Sequence, residues 1–219
     1  MGFSLIITSL QVATLATAIN VPFAMFIGWL LIKRNFRGKF ILDILVSLPM
    51  AVPPVAIGFL LLLLFGRNGP VGSILYNLLG IEIVFTLIAA ALAAAIVSFP
   101  LMTRTIMVAF GEVDERMELS ARTLGASPWK VAFTITIPLA YKGILAGILI
   151  GFVRSISEFG ATIVVAGNIP GYTQTLPTAI YTSVQTGDHN VAVRLVFLSI
   201  SLAVVALLAH NYLLRRTRL

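Results

Sequence analysis

The chain has no cysteine, two histidines and only 8 Asp and Glu among its 219 residues. The lack of cysteine excludes a disulfide framework and any thiolate metal site. His189 and His210 are too far apart in the chain to have the spacing of a metal site. Charge is scarce altogether, at 11% of residues, where an ordinary globular chain carries about 25%. No Gly-x-x-x-x-Gly-Lys-Ser/Thr run is present, so the chain lacks the loop that cradles nucleotide phosphates. It also has no Gly-x-Ser-x-Gly elbow. We therefore expect no enzyme: no catalytic residue, no bound cofactor and no metal.

What the chain has instead is apolar. Hydrophobic residues make up 59% of it and its mean hydropathy is +1.03. A soluble domain of this size cannot hide so much apolar surface, and the bilayer is its natural solvent. The 15 Lys and Arg leave a net charge of +7. Nucleic-acid binders gather such charge on one soluble face. Here the charges punctuate apolar runs, which is a pattern of membrane topology, so lipid rather than nucleic acid is the expected partner.

Crossing the hydrocarbon core takes about 20 apolar residues in a helix. Five stretches qualify: within Phe3–Ile32, then Ile44 to Phe65, Ile83 to Met102, Gly143 to Val165, and Leu195 to Leu214. The fold class expected is an all-α integral membrane protein with five transmembrane helices, read as one domain over 1–219. The first run is far longer than a signal-peptide core of roughly 7–15 residues, and no positive charge precedes it, so it is expected to stay as a membrane helix. Pro22 and Pro100 predict kinks or shape alone, whereas Pro53 and Pro54 fall mid-span, where broken helices often line a pathway.

Lys33, Arg34, Arg37 and Lys39 follow the first span. Arg104, Arg116, Arg122, Lys130 and Lys142 lie between the third and fourth, and Arg215, Arg216 and Arg218 end the chain. With five spans, all three groups share one side. Positive charge marks the cytoplasm, which places the N-terminus outside and the C-terminus in the cytoplasm. On the outer side, Thr175 through Thr186 has the composition of a short interfacial helix. Arg194, near the outer face, either anchors its helix at the headgroups or attracts an anion.

The polar insert of about 110–140 carries the sharpest signal. Glu112 to Leu124 predicts a helix with acids in its first turns. Gly125 supplies a stop, and Ser127-Pro128 suits the N-cap and first position of a second helix. The segment Glu118-Leu119-Ser120-Ala121-Arg122-Thr123-Leu124-Gly125-Ala126-Ser127-Pro128, with Ile137-Pro138-Leu139 downstream, resembles the "EAA" loop of type I ABC importer permeases. The family's Glu-Ala-Ala falls on Leu119-Ser120-Ala121, where only Ala121 agrees, and Glu118 stands one place earlier. In that family the loop forms a coupling helix seated in a groove of the ATPase. The resemblance therefore implies ATPase-coupling roles for Glu118, Leu119, Ser120, Ala121, Arg122, Gly125, Ala126 and Pro128.

A second constellation is Arg154 and Glu158, four apart and so able to share a helix face. Arg154 lies 12 residues past Lys142, roughly 18 Å along a helix. A charge at that depth faces a wet cavity or the protein interior. Two readings follow. Either Arg154 helps a dianion pass or Glu158 helps form a gate, or the two pair and fix packing. Pro53, Pro54, Arg154, Ser157 and Glu158 are the candidate pathway or gate.

The run Ser157-Glu158-Phe159-Gly160-Ala161-Thr162 is similar to one in molybdate, tungstate and sulfate permeases. Asn168-Ile169-Pro170-Gly171, Thr175-Leu176-Pro177 and Ala179-Ile180-Tyr181 resemble the molybdate branch. The resemblance covers about 5–214. It implies a multi-pass permease of the bacterial inner (plasma) membrane that imports molybdate, with tungstate or sulfate/thiosulfate as alternatives within the family. A stand-alone secondary anion carrier or channel is the alternative of a different class. It further implies a homodimer, two ATP-binding cassette ATPase subunits holding ATP and Mg, and a periplasmic or extracellular molybdate-binding protein.

Overall fold

The computed structural model describes residues 2–216, with side chains through Leu208. Arg218, and the side chains of His210, Arg215 and Arg216, lie outside what is described. The elements are α1 (Gly2–Lys33), α2 (Lys39–Ala51), α3 (Pro54–Phe65), α4 (Pro70–Leu79), α5 (Leu87–Gly111), α6 (Glu115–Thr123), α7 (Pro128–Val131), a π-helical turn (Ala132–Thr136), α8 (Ile137–Ile156), α9 (Gly160–Val165), α10 (Leu176–Gln185) and α11 (His189–Arg216). Among the described residues there is no strand, and helices satisfy their backbone groups within one segment, as lipid demands of an element that is not part of a closed barrel.

Four helical stretches are long and apolar enough to cross a membrane: Gly2–Lys33, Leu87–Gly111, Pro128–Ile156 and His189–Leu208. The second expected span, Ile44 to Phe65, is not one helix. Lys39–Ala51 and Pro54–Phe65 meet at a bend of 110°, at the proline pair. Pro53 and Pro54 have no N–H to offer, so breaking the helix there leaves fewer orphan donors than a break elsewhere. Ala56 and Ile57 donate to the Pro53 carbonyl as α3 starts. Pro22 and Pro100, by contrast, lie inside unbroken α1 and α5.

The third and fourth expected spans have different bounds. The third is expected from Ile83 to Met102, yet α5 starts at Leu87 behind the Thr86 cap and continues to Gly111, with Arg104 inside it paired to Asp43 of α2 at 2.8 Å and donating to Ser47 Oγ at 2.5 Å. The fourth was to run from Gly143 to Val165. Instead the helix starts well before Lys142, ends at Ile156, and α9 is a separate piece.

α5 is the hub. Ala89, Ala90, Ala93 and Ala94 are fully buried against α1, α3 and α9, while Met102, Ile106 and Phe110 are buried toward α1 and α8. Lipid tails are as apolar as leucine, so such helices associate through close packing and small residues. Gly143, Gly147 and Gly151 provide this face on α8. A Cβ at Gly143 would lie 2.3 Å from Ala109 Cβ, and one at Gly147 2.7 Å from Ile106 Cγ1. One at Gly58 of α3 would lie 2.5 Å from the Ala161 carbonyl oxygen of α9, whereas one at Gly151 meets the flexible end of Met102.

These contacts set an order of tolerance. Gly58→Ala should destabilise the folded chain by about 1–3 kcal/mol, the usual cost of overpacking, because the obstacle is backbone. Gly151→Ala should cost less, since its nearest obstacle, Met102 Cε at 2.4 Å, is the end of a flexible side chain and only Met102 Cβ at 3.0 Å must give with the helix. Thermal unfolding of the detergent-solubilised protein, followed by loss of the monodisperse peak, checks the order.

Candidate functional site

At the Lys33 end of α1, the helix–turn–helix expected from the polar insert is present. Asp114 caps α6, its carboxylate accepting from Arg116 N at 2.9 Å. Glu112 belongs to the end of α5 instead. Gly125 turns the chain at φ +85°, a left-handed value glycine adopts freely. Ser127 Oγ then accepts from Lys130 N at 3.3 Å, with Pro128 opening α7.

The eight residues singled out on this hairpin divide by environment. Leu119, Ser120, Arg122 and Gly125 are exposed, and Ala121, Ala126 and Pro128 half-buried. Leu124, which is 88% exposed, and Met117 add further exposed apolar groups. Glu118 differs in kind: it is buried, and its carboxylate is occupied within the chain. Lys33 Nζ lies 3.2 Å from Oε1, and Thr136 Oγ1 donates to the same oxygen at 2.6 Å. In the sequence Lys33 reads only as a topology charge, and Thr136 carries no signal of its own. Beside them Trp129 stacks on Trp29 at 5.0 Å, which seats α7 on α1.

The second set converges around two helix breaks. Arg154 Nη2 meets Glu158 Oε2 at 2.9 Å, but the pair does not lie along one helix face. Glu158 sits beyond the end of α8, in the gap before α9, and its Oε1 accepts from Ala161 N at 2.9 Å. One carboxylate thus ties the last turn of α8 to the first of α9. The Glu158 side chain is 2% exposed and that of Arg154 31%. Ser157, exposed, donates to the Arg154 carbonyl.

The other break faces this one. A Cβ on Gly160 would lie 3.1 Å from Pro54 Cβ and 3.3 Å from Val55 N. Pro53–Pro54 and Ser157–Phe159, more than 100 positions apart in the chain, therefore back onto each other through α3 and α9. The Phe159 ring packs on Tyr181 of α10 at 4.9 Å. α10 itself is the short helix expected from the outer segment, opened by a reciprocal Thr175–Thr178 cap.

A third cluster was missed in the sequence. Asn20 Nδ2 donates to the Ala95 carbonyl at 2.9 Å and to Ser98 Oγ at 3.0 Å, and Ser155 Oγ donates to Ser98 Oγ at 2.9 Å. All three side chains are buried, one each on α1, α5 and α8. The available signal was an asparagine inside an apolar run, since polar groups in membrane helices seek one another.

Residues 20–219 match the family model described as "Binding-protein-dependent transport system inner membrane component". The chain is 47% identical over 214 residues to the molybdenum transport system permease protein ModB of Escherichia coli K12, covering 97% of this chain and 93% of that protein. It is 44% identical to the ModB of Haemophilus influenzae, over 99% of this chain and 95% of that one. A probable sulfate transport system permease protein of Chlorokybus atmophyticus is 35% identical over 92% of this chain and 71% of its own length. Among solved structures, the MetNI methionine ABC transporter in an inward-facing conformation matches with a TM-score of 0.76 at 16% identity, covering 95% of this chain and 92% of that one. A bacterial alginate ABC transporter in complex with its periplasmic protein also matches at 0.76, with 17% identity over 98% and 78%. The chain belongs to the inner-membrane components of binding-protein-dependent transport systems, as a multi-pass permease subunit of the type I ABC importer kind.

Proposed function

We propose that the chain imports molybdate, as one of two identical permease subunits around a shared pathway. The reading is carried by near full-length identity to permeases named for molybdenum, higher than to the one named for sulfate. The basic groups of Lys33 to Lys39, of Arg104 to Lys142 and of Arg215 to Arg218 support an orientation with the N-terminus outside. The α6–α7 hairpin then faces the cytoplasm. Each copy docks an ATPase subunit, which holds ATP and Mg, and a binding protein delivers the oxyanion from outside. This chain itself binds neither nucleotide nor cofactor.

The hairpin suits docking for a physical reason. It presents Leu124, Leu119 and Met117 outward on a segment capped at both helix starts, and a rigid apolar anchor beside polar groups is what a partner's groove takes up. On the pathway side, Arg154 is held by Glu158 yet keeps one face open. We assign the paired breaks at Pro53–Pro54 and Ser157–Glu158 to the gate, because discontinuous helices line substrate routes in transporters.

Three outcomes test this. Cells lacking the chain should lose labelled molybdate uptake and regain it on complementation, while sulfate uptake is unchanged; molybdate uptake that survives the deletion would overturn the cargo. Leu124→Asp should cut uptake and ATPase co-purification about tenfold, the effect of roughly 1.4 kcal/mol at an interface, with membrane abundance unaltered. At the gate, Glu158→Gln keeps an acceptor for Ala161 N but loses the charge. It should lower uptake and cost about 1–3 kcal/mol, the range for a charged hydrogen bond. Glu158→Ala should lose more, as the α9 cap goes too; equal uptake in both variants and the wild type would sink the gate assignment.

A further inference from the structure

Two segments meet at Glu118, and a third is held through its partner Lys33. Lys33 is the last residue of α1, and its ammonium lies 3.2 Å from Glu118 Oε1. The same ammonium donates to the Val113 carbonyl, just past α5, at 3.3 Å. Thr136 ends the π-helical turn that leads into α8, and its hydroxyl reaches Glu118 Oε1 at 2.6 Å. The Lys33 and Glu118 side chains are only 5% and 6% exposed. A buried ion pair is no efficient way to gain stability, because desolvation offsets the attraction. It does resist sliding in a way apolar contact does not, since displacement separates charges where water cannot replace the partner.

The three helices gripped at this end are those joined at Asn20, Ser98 and Ser155. Asn20 is 13 residues from Lys33 along α1, roughly 20 Å. Ser155 lies immediately before the break at Ser157–Phe159. The same three helices are thus tied by polar contacts at two levels, with the hairpin at one end and the broken helices beside the other. The π-helical turn supports this reading, since such irregularities concentrate at functional sites.

We propose that Lys33 and Glu118, braced by Thr136, are positioning residues: the joint through which movement of the α6–α7 hairpin is passed to α1, α5 and α8 together. The inference rests on the coupling role assigned to the hairpin above. The joint acts inside this chain, behind the docking face.

The test uses the complete complex of permease, ATPase and binding protein in proteoliposomes, reading molybdate uptake, ATP hydrolysis and ATPase retention. The double variant Lys33→Met, Glu118→Leu replaces the pair with apolar groups of similar size, which folded proteins commonly tolerate. It should keep the ATPase bound and hydrolysis within about twofold, while uptake per ATP falls about tenfold, a fold-change in keeping with coupling energies. Lys33→Arg should preserve uptake, and Thr136→Val should lower uptake per ATP more than it lowers hydrolysis. If the double variant transports at the wild-type ratio, the pair is packing only and the inference is overturned. If the double variant does not assemble, the Arg and Val variants decide, and a wild-type ratio in Thr136→Val overturns it. A wild-type chain that retains no ATPase would overturn the coupling reading itself, a different failure from a bound ATPase with unaltered uptake.

Discussion

A backbone inside lipid must find every hydrogen-bond partner within the protein. This chain breaks its helices twice where that constraint bears hardest, at Val52–Pro53 and at Ser157–Phe159. The solution is mutual cover. Prolines at the first break remove donors that would otherwise need partners, and Glu158 at the second accepts from the start of α9. Glycines at 58 and 160 then let the two broken regions approach to backbone contact. The rest of the bundle holds these two regions against each other.

That arrangement explains why α5 is so rich in alanine. Small side chains allow α1, α3, α8 and α9 to come close to one central helix, and close approach replaces the hydrophobic driving force that is absent between helices in lipid. Polar contacts are then placed sparingly. Asn20, Ser98 and Ser155 join three helices in the interior, Arg104 and Asp43 hold α2 to α5, and Lys33 with Glu118 secures the hairpin. Each sits at a helix–helix contact, where a misplaced polar group would be costly and a satisfied one specifies the register.

The hairpin holds residues of two kinds: Leu119, Arg122 and Leu124 are exposed, and Glu118 is buried. The acid that stands beside the position of the family's glutamate serves the chain's own packing. An outward face suits a partner, and an inward ion pair links that face to the membrane helices.

Much of this was legible in the residues themselves. Long apolar runs made the helices necessary. Gly125, Ser127 and Pro128 specified the turn and the start of α7 through local chemistry that needs no distant partner, and Thr175 to Thr186 read as the short helix α10, whereas the first helix of the hairpin starts after Asp114 and not at Glu112. Span boundaries were less legible where a charge was taken as an end: α5 runs through Arg104, and the fourth span through Lys142. The sequence by itself determined that the apolar runs are helical, that the chain breaks at Pro53–Pro54 and that the polar insert turns at Gly125, because prolines, caps and apolar length act within a few residues. Only the tertiary structure decided which break faces which, that Glu158 joins α8 to α9 rather than lying along a single helix, and that Lys33, Thr136 and Glu118 meet. Such pairings depend on helix rotation and register, which arise from packing between segments far apart in the chain and leave no periodic mark within any one of them.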